Sequence, residues 1–458
     1  MSVCLPSDTF ALLGNDVRKC ESRTLLMDRF CDPSAKEQAR KEVFERAIRA
    51  PVFKAKAAAW LQWLSATPLG GKIVFAQLQS RLMVNMAGGV MENAGLCIDR
   101  FGLPYIPGSA VKGCARRTAL AALREWCEAG GQLENKPKAD ENPLTPCCEN
   151  FGSPADMLAA IARVFGWCEL DWADSSDLRW ACNDQDHILA EAAVSIANHF
   201  HWPIKREHEA QPWRSLPNFG GSVSFLPAYP TDLGKTGKID GLPLEVPPLG
   251  KLELDVVTCH HRQYYEGKLP TATDTEEPVP VVFPAVAPGH VFTFALAPLR
   301  GSDAQLLELA SVWLKTGLQT FGLGAKTNAG YGWFVDVTPA AQPLIAAEQE
   351  RLAQEAAKKA EQARLAAEAA AKAAAEAERL AKAPPHERFC AEYAKLADEP
   401  FATQAKKFAE MNDEQRHGFV LALKQRRDTA KRWAKKKPEL LKPWQEFAQK
   451  LQPPIQLP

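Results

Sequence analysis

Residues 345–383 are almost entirely alanine, glutamate, lysine, arginine, leucine and glutamine. That composition favours helix strongly. It resembles the semi-rigid spacers built on Glu-Ala-Ala-Ala-Lys repeats. A helix of that length extends roughly 55–60 Å. Its apolar stripe is thin, which predicts an exposed rod rather than a core element. The rest of the 458 residues must therefore fold on either side of it. Pro384-Pro385 end the rod. Beyond it, residues 384–452 carry Phe389, Tyr393, Leu396, Phe401, Phe408, Phe419, Leu421, Trp433, Trp444 and Phe447, enough for a small all-α module. Between Arg416 and Lys450 eleven lysines and arginines face three carboxylates. The cluster Arg426-Arg427, Lys431-Arg432 and Lys435-Lys436-Lys437 suits either phosphate contact or a solvated surface.

Over the whole chain 55 cationic side chains balance 55 carboxylates, so net charge carries no nucleic-acid signal and local patches must. Twelve irregularly spaced cysteines without a hydrophobic leader read as reduced thiols. No run reaches the length of a membrane span, and the expected location is the cytoplasm. The first 70 residues form an N-terminal extension, irregular over 1–31 and helix-like over 36–64. Strands are expected at 72–84, 96–100, 222–227, 251–258, 280–284, 290–297 and 331–337. Helices are expected at 109–127, 155–165, 188–199 and 303–320. Residues 168–221 read as an insertion. Strand, helix, strands, helix, strand is the order of a ferredoxin-like α+β sandwich.

Two stretches in 71–338 suggest a binding surface. Residues 322–334 read Gly-Leu-Gly-Ala-Lys-Thr-Asn-Ala-Gly-Tyr-Gly-Trp-Phe, between the helix at 303–320 and the last strand. Gly322, Gly324, Gly330 and Gly332 permit positive φ and close approach of another backbone. Lys326 can meet a phosphate, Asn328 can donate hydrogen bonds, and Tyr331 offers a stacking face. A nucleotide phosphate loop is excluded, because the Gly-x-x-x-x-Gly-Lys-Ser/Thr spacing is missing. Gly234-Lys235-Thr236 fails that template as well, with Tyr229 in the first glycine's place. By spacing alone, a helix-to-strand turn with a solvated lysine stands equally. The second stretch, 103–117, is Leu-Pro-Tyr-Ile-Pro-Gly-Ser-Ala-Val-Lys-Gly-Cys-Ala-Arg-Arg. Ser109 is placed to cap the helix, Lys112 and Arg116 share a face, and Arg117 follows. A helix N-terminus with adjacent cations suits a phosphate.

Together these stretches resemble the first-helix motif and the glycine-rich loop of the RAMP superfamily of CRISPR RNA-binding proteins. Residues 225–230 (Phe-Leu-Pro-Ala-Tyr-Pro), 254–261 (Leu-Asp-Val-Val-Thr-Cys-His-His), 264–267 (Tyr-Tyr-Glu-Gly) and 278–283 (Pro-Val-Pro-Val-Val-Phe) narrow the resemblance to the sixth-subunit family of the type III-B Cmr effector complex. The resemblance covers about 73–337, diverges over 168–221, and stops before the alanine-rich rod. It implies a ferredoxin-like (RRM-like) core with insertions and a non-catalytic scaffold that holds guide RNA toward its 3′ end. It also implies contacts with neighbouring RAMP subunits and with target RNA, and no cofactor. Ser109, Lys112, Arg116, Arg117, Gly322, Gly324, Lys326, Asn328, Gly330, Tyr331 and Gly332 are the RNA-binding candidates. The alternative within the superfamily is a guide-RNA-processing endoribonuclease using a histidine base.

Other chemistry is weaker. Cys147, Cys148, Cys168 and Cys182, with His187, lack a Cys-x-x-Cys pair, and thiols are favoured over a structural zinc. His260-His261 beside Arg262 suit acid–base chemistry or a subunit contact. In this complex the family assigns target cleavage to an aspartate of the repeated backbone subunits. Glu92 and Asp99 fit no such loop, and no catalytic role is expected for them.

Overall fold

The structure is a computed structural model. It describes residues 5–14, 19–32, 34, 37–66, 71–85, 96–136, 142–232, 239, 241–273, 279–300 and 302–458. The chain divides into two compact units, Met1–Leu352 and Ala353–Pro458.

The first unit opens with helices α1 (Ser7–Leu13), α2 (Arg23–Asp28), α3 (Glu37–Arg49) and α4 (Ala55–Ala66). Segment 1–31 is therefore not irregular throughout. Its helices are too short for an apolar period to show. The single helix expected over 36–64 is two, separated by a segment containing Pro51, which cannot continue the first. Leu26, Met27, Cys31, Val43, Phe44 and Ala47 pack as a small cluster. Arg23 is buried, and its guanidinium donates to the carbonyls of Ala50 and Ile48 at 3.1 Å, Gly102 at 3.1 Å and Gly250 at 2.6 Å. Burial lowers its pKa to about 10.

The elements that follow are β1 (Lys72–Leu78), α5 (Gly108–Glu128), α6 (Thr145–Cys148), α7 (Pro154–Phe165), β2 (Gly166–Trp167), α8 (Asp177–Ala181) and α9 (Asp186–Phe200). Next come β3 (Phe219–Gly220), β4 (Val223–Phe225), β5 (Tyr229–Pro230), β6 (Leu252–Cys259), α10 (Arg262–Tyr265) and β7 (Val279–Val286). The unit closes with β8 (Val291–Pro298), α11 (Ala304–Thr320) and β9 (Phe334–Asp336). Local signals set several ends: Ser153 caps α7, Asp303 caps α11, and Gly166 stops α7 at φ 103°.

The main sheet has the order β4-β8-β1-β9, every pair antiparallel, with β5 also on β8. β6 and β7 form a separate hairpin, paired from Leu252↔Val286 to Cys259↔Val279. Strand alternation sends Val74, Ala76 and Leu78 to one face, into the main core with Val111, Leu158, Ile196 and Trp313 of the covering helices. Phe75 turns to the other face and joins Val291, Val337, Ala341 and Ile345. Both faces are covered, so β1 reads as a nearly unbroken apolar run. The stretch expected as an insertion is not peripheral, because Leu178, Ile188, Leu189 and Ile196 belong to the main core.

Helix α12 (Thr338–Lys382) runs through the unit boundary. Its beginning is not spacer, since Ala341 and Ile345 are buried against the sheet's second face. The compact unit therefore ends at Leu352, whereas the sequence is read as a core to residue 338 followed by an alanine-rich helical spacer over 341–383. From 353 to 379 the helix is exposed. The second unit continues with α13 (Pro385–Ala394), α14 (Asp398–Ala405), α15 (Asp413–Gln425), α16 (Arg427–Lys436) and α17 (Pro438–Lys450). Asn412 and Gln415 cap α15 reciprocally. Phe401 stacks on Phe419 at 4.6 Å, and Phe419 meets Trp444 at 4.2 Å, at the centre of this unit's own core. Among the described residues no helix is long and apolar enough to cross a membrane.

Candidate nucleic-acid interface

Helix α5 begins one residue earlier than its sequence suggests. Pro107 is the N-cap and gives no side-chain bond, so Ser109 sits inside the first turn and does not cap. The start is pressed against β4, where a Cβ on Gly108 would strike the Phe225 carbonyl oxygen. Lys112 and Arg116 share a face, as their spacing requires, but that face is occupied by protein. Lys112 Nζ donates to the Phe165 carbonyl at 2.8 Å, and burial together with Arg116 lowers its pKa. Arg116 is held by Asp177, with Nη2–Oδ1 at 3.0 Å, and by Asp171 at 3.4 Å. The Arg116 hydrogen bond in turn holds the Asp177 carboxyl below its ordinary range. The exposed stripe of α5 is Ser109, Gly113 and Arg117, spaced four residues apart.

Arg117 joins the two motifs. Its Nη2 donates to the Gly322 carbonyl at 2.9 Å, and its guanidinium lies 4.9 Å from the Phe321 ring centroid. The glycine loop is laced to itself and to the chain after β1. Leu323 N donates to Gly332 O, Gly332 N to Arg81 O and Ala325 N to Met83 O, each at 2.8 Å. Gly322, Gly324, Gly330 and Gly332 all have positive φ, from 68° to 99°. Three of them are required by the protein's own backbone. A Cβ on Gly324 would collide with the Met83 carbonyl oxygen, one on Gly332 with that of Leu323, and one on Gly322 would lie 2.9 Å from that of Gly332. At Gly330 a Cβ would meet nothing within 4 Å among the described residues.

Lys326 is left-handed at φ 58°, with its ammonium 4.4 Å from the Phe283 ring centroid. Burial lowers its pKa, and Asp255 opposes that. The Tyr331 ring is half-buried, packed with Ala325 against Met83, Phe283 and Ala285. Its hydroxyl donates to Asp255 Oδ2 at 2.5 Å, and burial together with that bond pushes its pKa up to about 12. Asp255 also accepts from Arg81 at 3.0 Å. Asn328, Ala329 and Gly330 form the exposed tip.

Next to the junction lies a groove of about 420 Å³ lined by Gly113, Arg117, Leu120, Trp180 and Phe321, with the Arg116–Asp177 pair at its edge. The half-exposed Trp180 and Gly113 were not among the sequence candidates. Trp180 belongs to the stretch that periodicity placed poorly. Gly113 did carry a signal. A glycine inside a helix costs roughly 1 kcal/mol against alanine, and no internal neighbour comes within 4 Å of its absent Cβ.

The remaining sequence candidates resolve into structural positions. Cys147, Cys148 and Cys182 are buried, and burial pushes the first two thiols up to about 12 and the third higher. Among the described residues no group of three or more His, Cys, Asp and Glu side chains is placed to hold a metal. His261 Nδ1 lies 3.0 Å from the Thr273 carbonyl oxygen, in the segment joining β6 to β7. Asp99 Oδ1 accepts from the backbones of Phe101 and Leu103, closing a turn. Glu92, Lys235 and Thr236 lie outside the described residues.

A curated relative, the CRISPR system Cmr subunit Cmr6 of Pyrococcus furiosus, is 26% identical over 264 residues, 56% of this chain. The chain spans 66% of that relative's length. Among solved structures, the type III-B Cmr-beta complex bound to cognate target RNA contains a chain matched at TM-score 0.34 and 16% identity, over 67% of this chain and 76% of that one. Crystalline Cmr6 from Pyrococcus furiosus matches at TM-score 0.26 and 24% identity, over 58% and 97%. The RAMP superfamily model matches residues 67–335, more than half of the sequence and the whole span from β1 through the glycine loop, and the chain belongs to that superfamily.

Proposed function

We propose that this protein is a non-catalytic RNA-binding scaffold subunit of a type III-B CRISPR effector complex, holding guide RNA toward its 3′ end beside other RAMP subunits. Likeness to Cmr6 supports that assignment. Strand, helix, two strands, helix, strand, with spatial order β4-β8-β1-β9, supports a ferredoxin-like reading of the core. The helices of the second unit, with a core of their own, support reading it as an all-α module.

The observation that carries the RNA reading is the Arg117–Gly322 bond. It makes one surface of the α5 stripe and the glycine loop. That surface holds two glycines, Gly113 and Gly330, whose missing side chains no neighbour among the described residues requires. An RNA backbone can approach closely at both, with Arg117 and Lys326 as the cations and Asn328 as a donor. Lys112 and Arg116 instead position the helix. The test is incubation of purified protein with repeat-derived RNA. Binding without cleavage is expected, specific cut products would favour the endoribonuclease alternative, and no binding would overturn the reading. Changing Arg117 and Lys326 to glutamine should lower the salt slope of single-stranded RNA binding by about 0.7 per lost contact. Changing Lys112 and Arg116 should leave that slope unchanged.

A further inference from the structure

The second unit lies outside the family match, and its cations are concentrated on one helix. Helix α16 buries Thr429, Ala430 and Trp433 on one face and exposes only charge, apart from Ala434, on the other. Arg427, Lys431 and Lys435 recur every four residues, about 6 Å of helix rise apart. None of the three has a carboxylate within ion-pair distance among the described residues, whereas Arg432 is held by Asp398 at 3.1 Å. Lys436, Lys437 and Lys442 extend the exposed cations. Like charges at this spacing repel one another along the helix face.

We infer that the exposed face of α16 docks the phosphodiester backbone of single-stranded RNA, independently of sequence. The choice between RNA and an acidic protein rests on what the face lacks. Protein interfaces draw most of their energy from a few buried anchors, chiefly tryptophan, tyrosine and arginine, packed in pockets. Among the described residues 353–458, Leu365 on α12 is the only large apolar side chain that is strongly exposed. A polyphosphate needs no anchor, because release of its counterions drives binding.

The test uses the full-length protein and a labelled oligouridine. One triple variant carries Arg427→Gln, Lys431→Gln and Lys435→Gln. A control of equal charge carries Lys358→Gln, Lys359→Gln and Lys372→Gln on α12. The slope of log affinity against log salt should fall by about 2 in the first variant and by less than 1 in the control. Equal slopes in the two variants would overturn the inference, since only bulk charge would then be at work. It would also be overturned if the first variant kept its RNA slope but lost binding to a polyglutamate peptide, which would identify an acidic-protein surface.

Discussion

The four glycines of the loop share a residue type and positive φ but not a reason. Gly324 lies against the Met83 carbonyl oxygen, whereas Gly330 faces open space. Gly324→Val should therefore disrupt the loop itself and lower thermal stability. Gly330→Ala pays only the left-handed strain, on the order of 1 kcal/mol, and should keep the fold while weakening RNA binding. A Gly330→Ala protein with wild-type RNA affinity would show that nothing approaches that position. His290 illustrates a buried side chain with a pH signature. Its Nδ1–H donates to the Ala287 carbonyl at 2.8 Å, and its Nε2 accepts from Lys251 N at 3.2 Å. Burial pulls its pKa down to about 4. Above the ordinary value near 6.5 both folded and unfolded states are neutral there. As pH falls from about 6.5 to 4 the unfolded state takes the proton first, so stability declines by roughly 3 kcal/mol from this group. Urea unfolding of wild type and His290→Asn should show their stability difference narrowing across that window. A difference that stays constant with pH would count against it.

At the scale of elements, α2 is held by Arg23 together with a small apolar cluster around Leu26 and Phe44. Arg23 serves the carbonyls at the end of α3, in the turn before α5 and in the approach to β6. A planar guanidinium reaches several acceptors at once, and an ammonium does not. Arg23→Lys should cost about 2–3 kcal/mol and speed amide exchange in α2 and α3. Unaltered exchange there would show that the small cluster around Leu26 and Phe44 suffices. Helix α5 shows the complementary case. Spacing revealed that Lys112 and Arg116 share a face, but not that Phe165 and the carboxylates of Asp171 and Asp177 would occupy it.

At the scale of the whole molecule, the residues after β9 as far as Leu352 belong to the first unit. Ala341 and Ile345 close the sheet face that carries Phe75 and Val291. A chain ending at Ala340 leaves that face uncovered and should be markedly less stable or insoluble. A chain ending at Leu352 should fold and keep RNA binding at the glycine loop. Matching melting temperatures for the two truncations would show that the start of α12 is spacer after all.

Local signals made much of this protein legible in its sequence. The helices expected at 155–165, 188–199 and 303–320 and the alanine-rich composition of α12 each rest on signals that act within a few residues of where they are written. The glycine-rich loop and the motif that opens α5 were visible for the same reason, since glycine spacing and a Pro-Gly turn are local chemistry. Tertiary structure alone decided which stripe of α5 faces outward, that Arg23 is buried, that α8 and α9 enter the main core, and where the first unit ends. Each of those depends on partners tens to hundreds of residues away, and periodicity along a single chain contains no information about which distant surface covers a face.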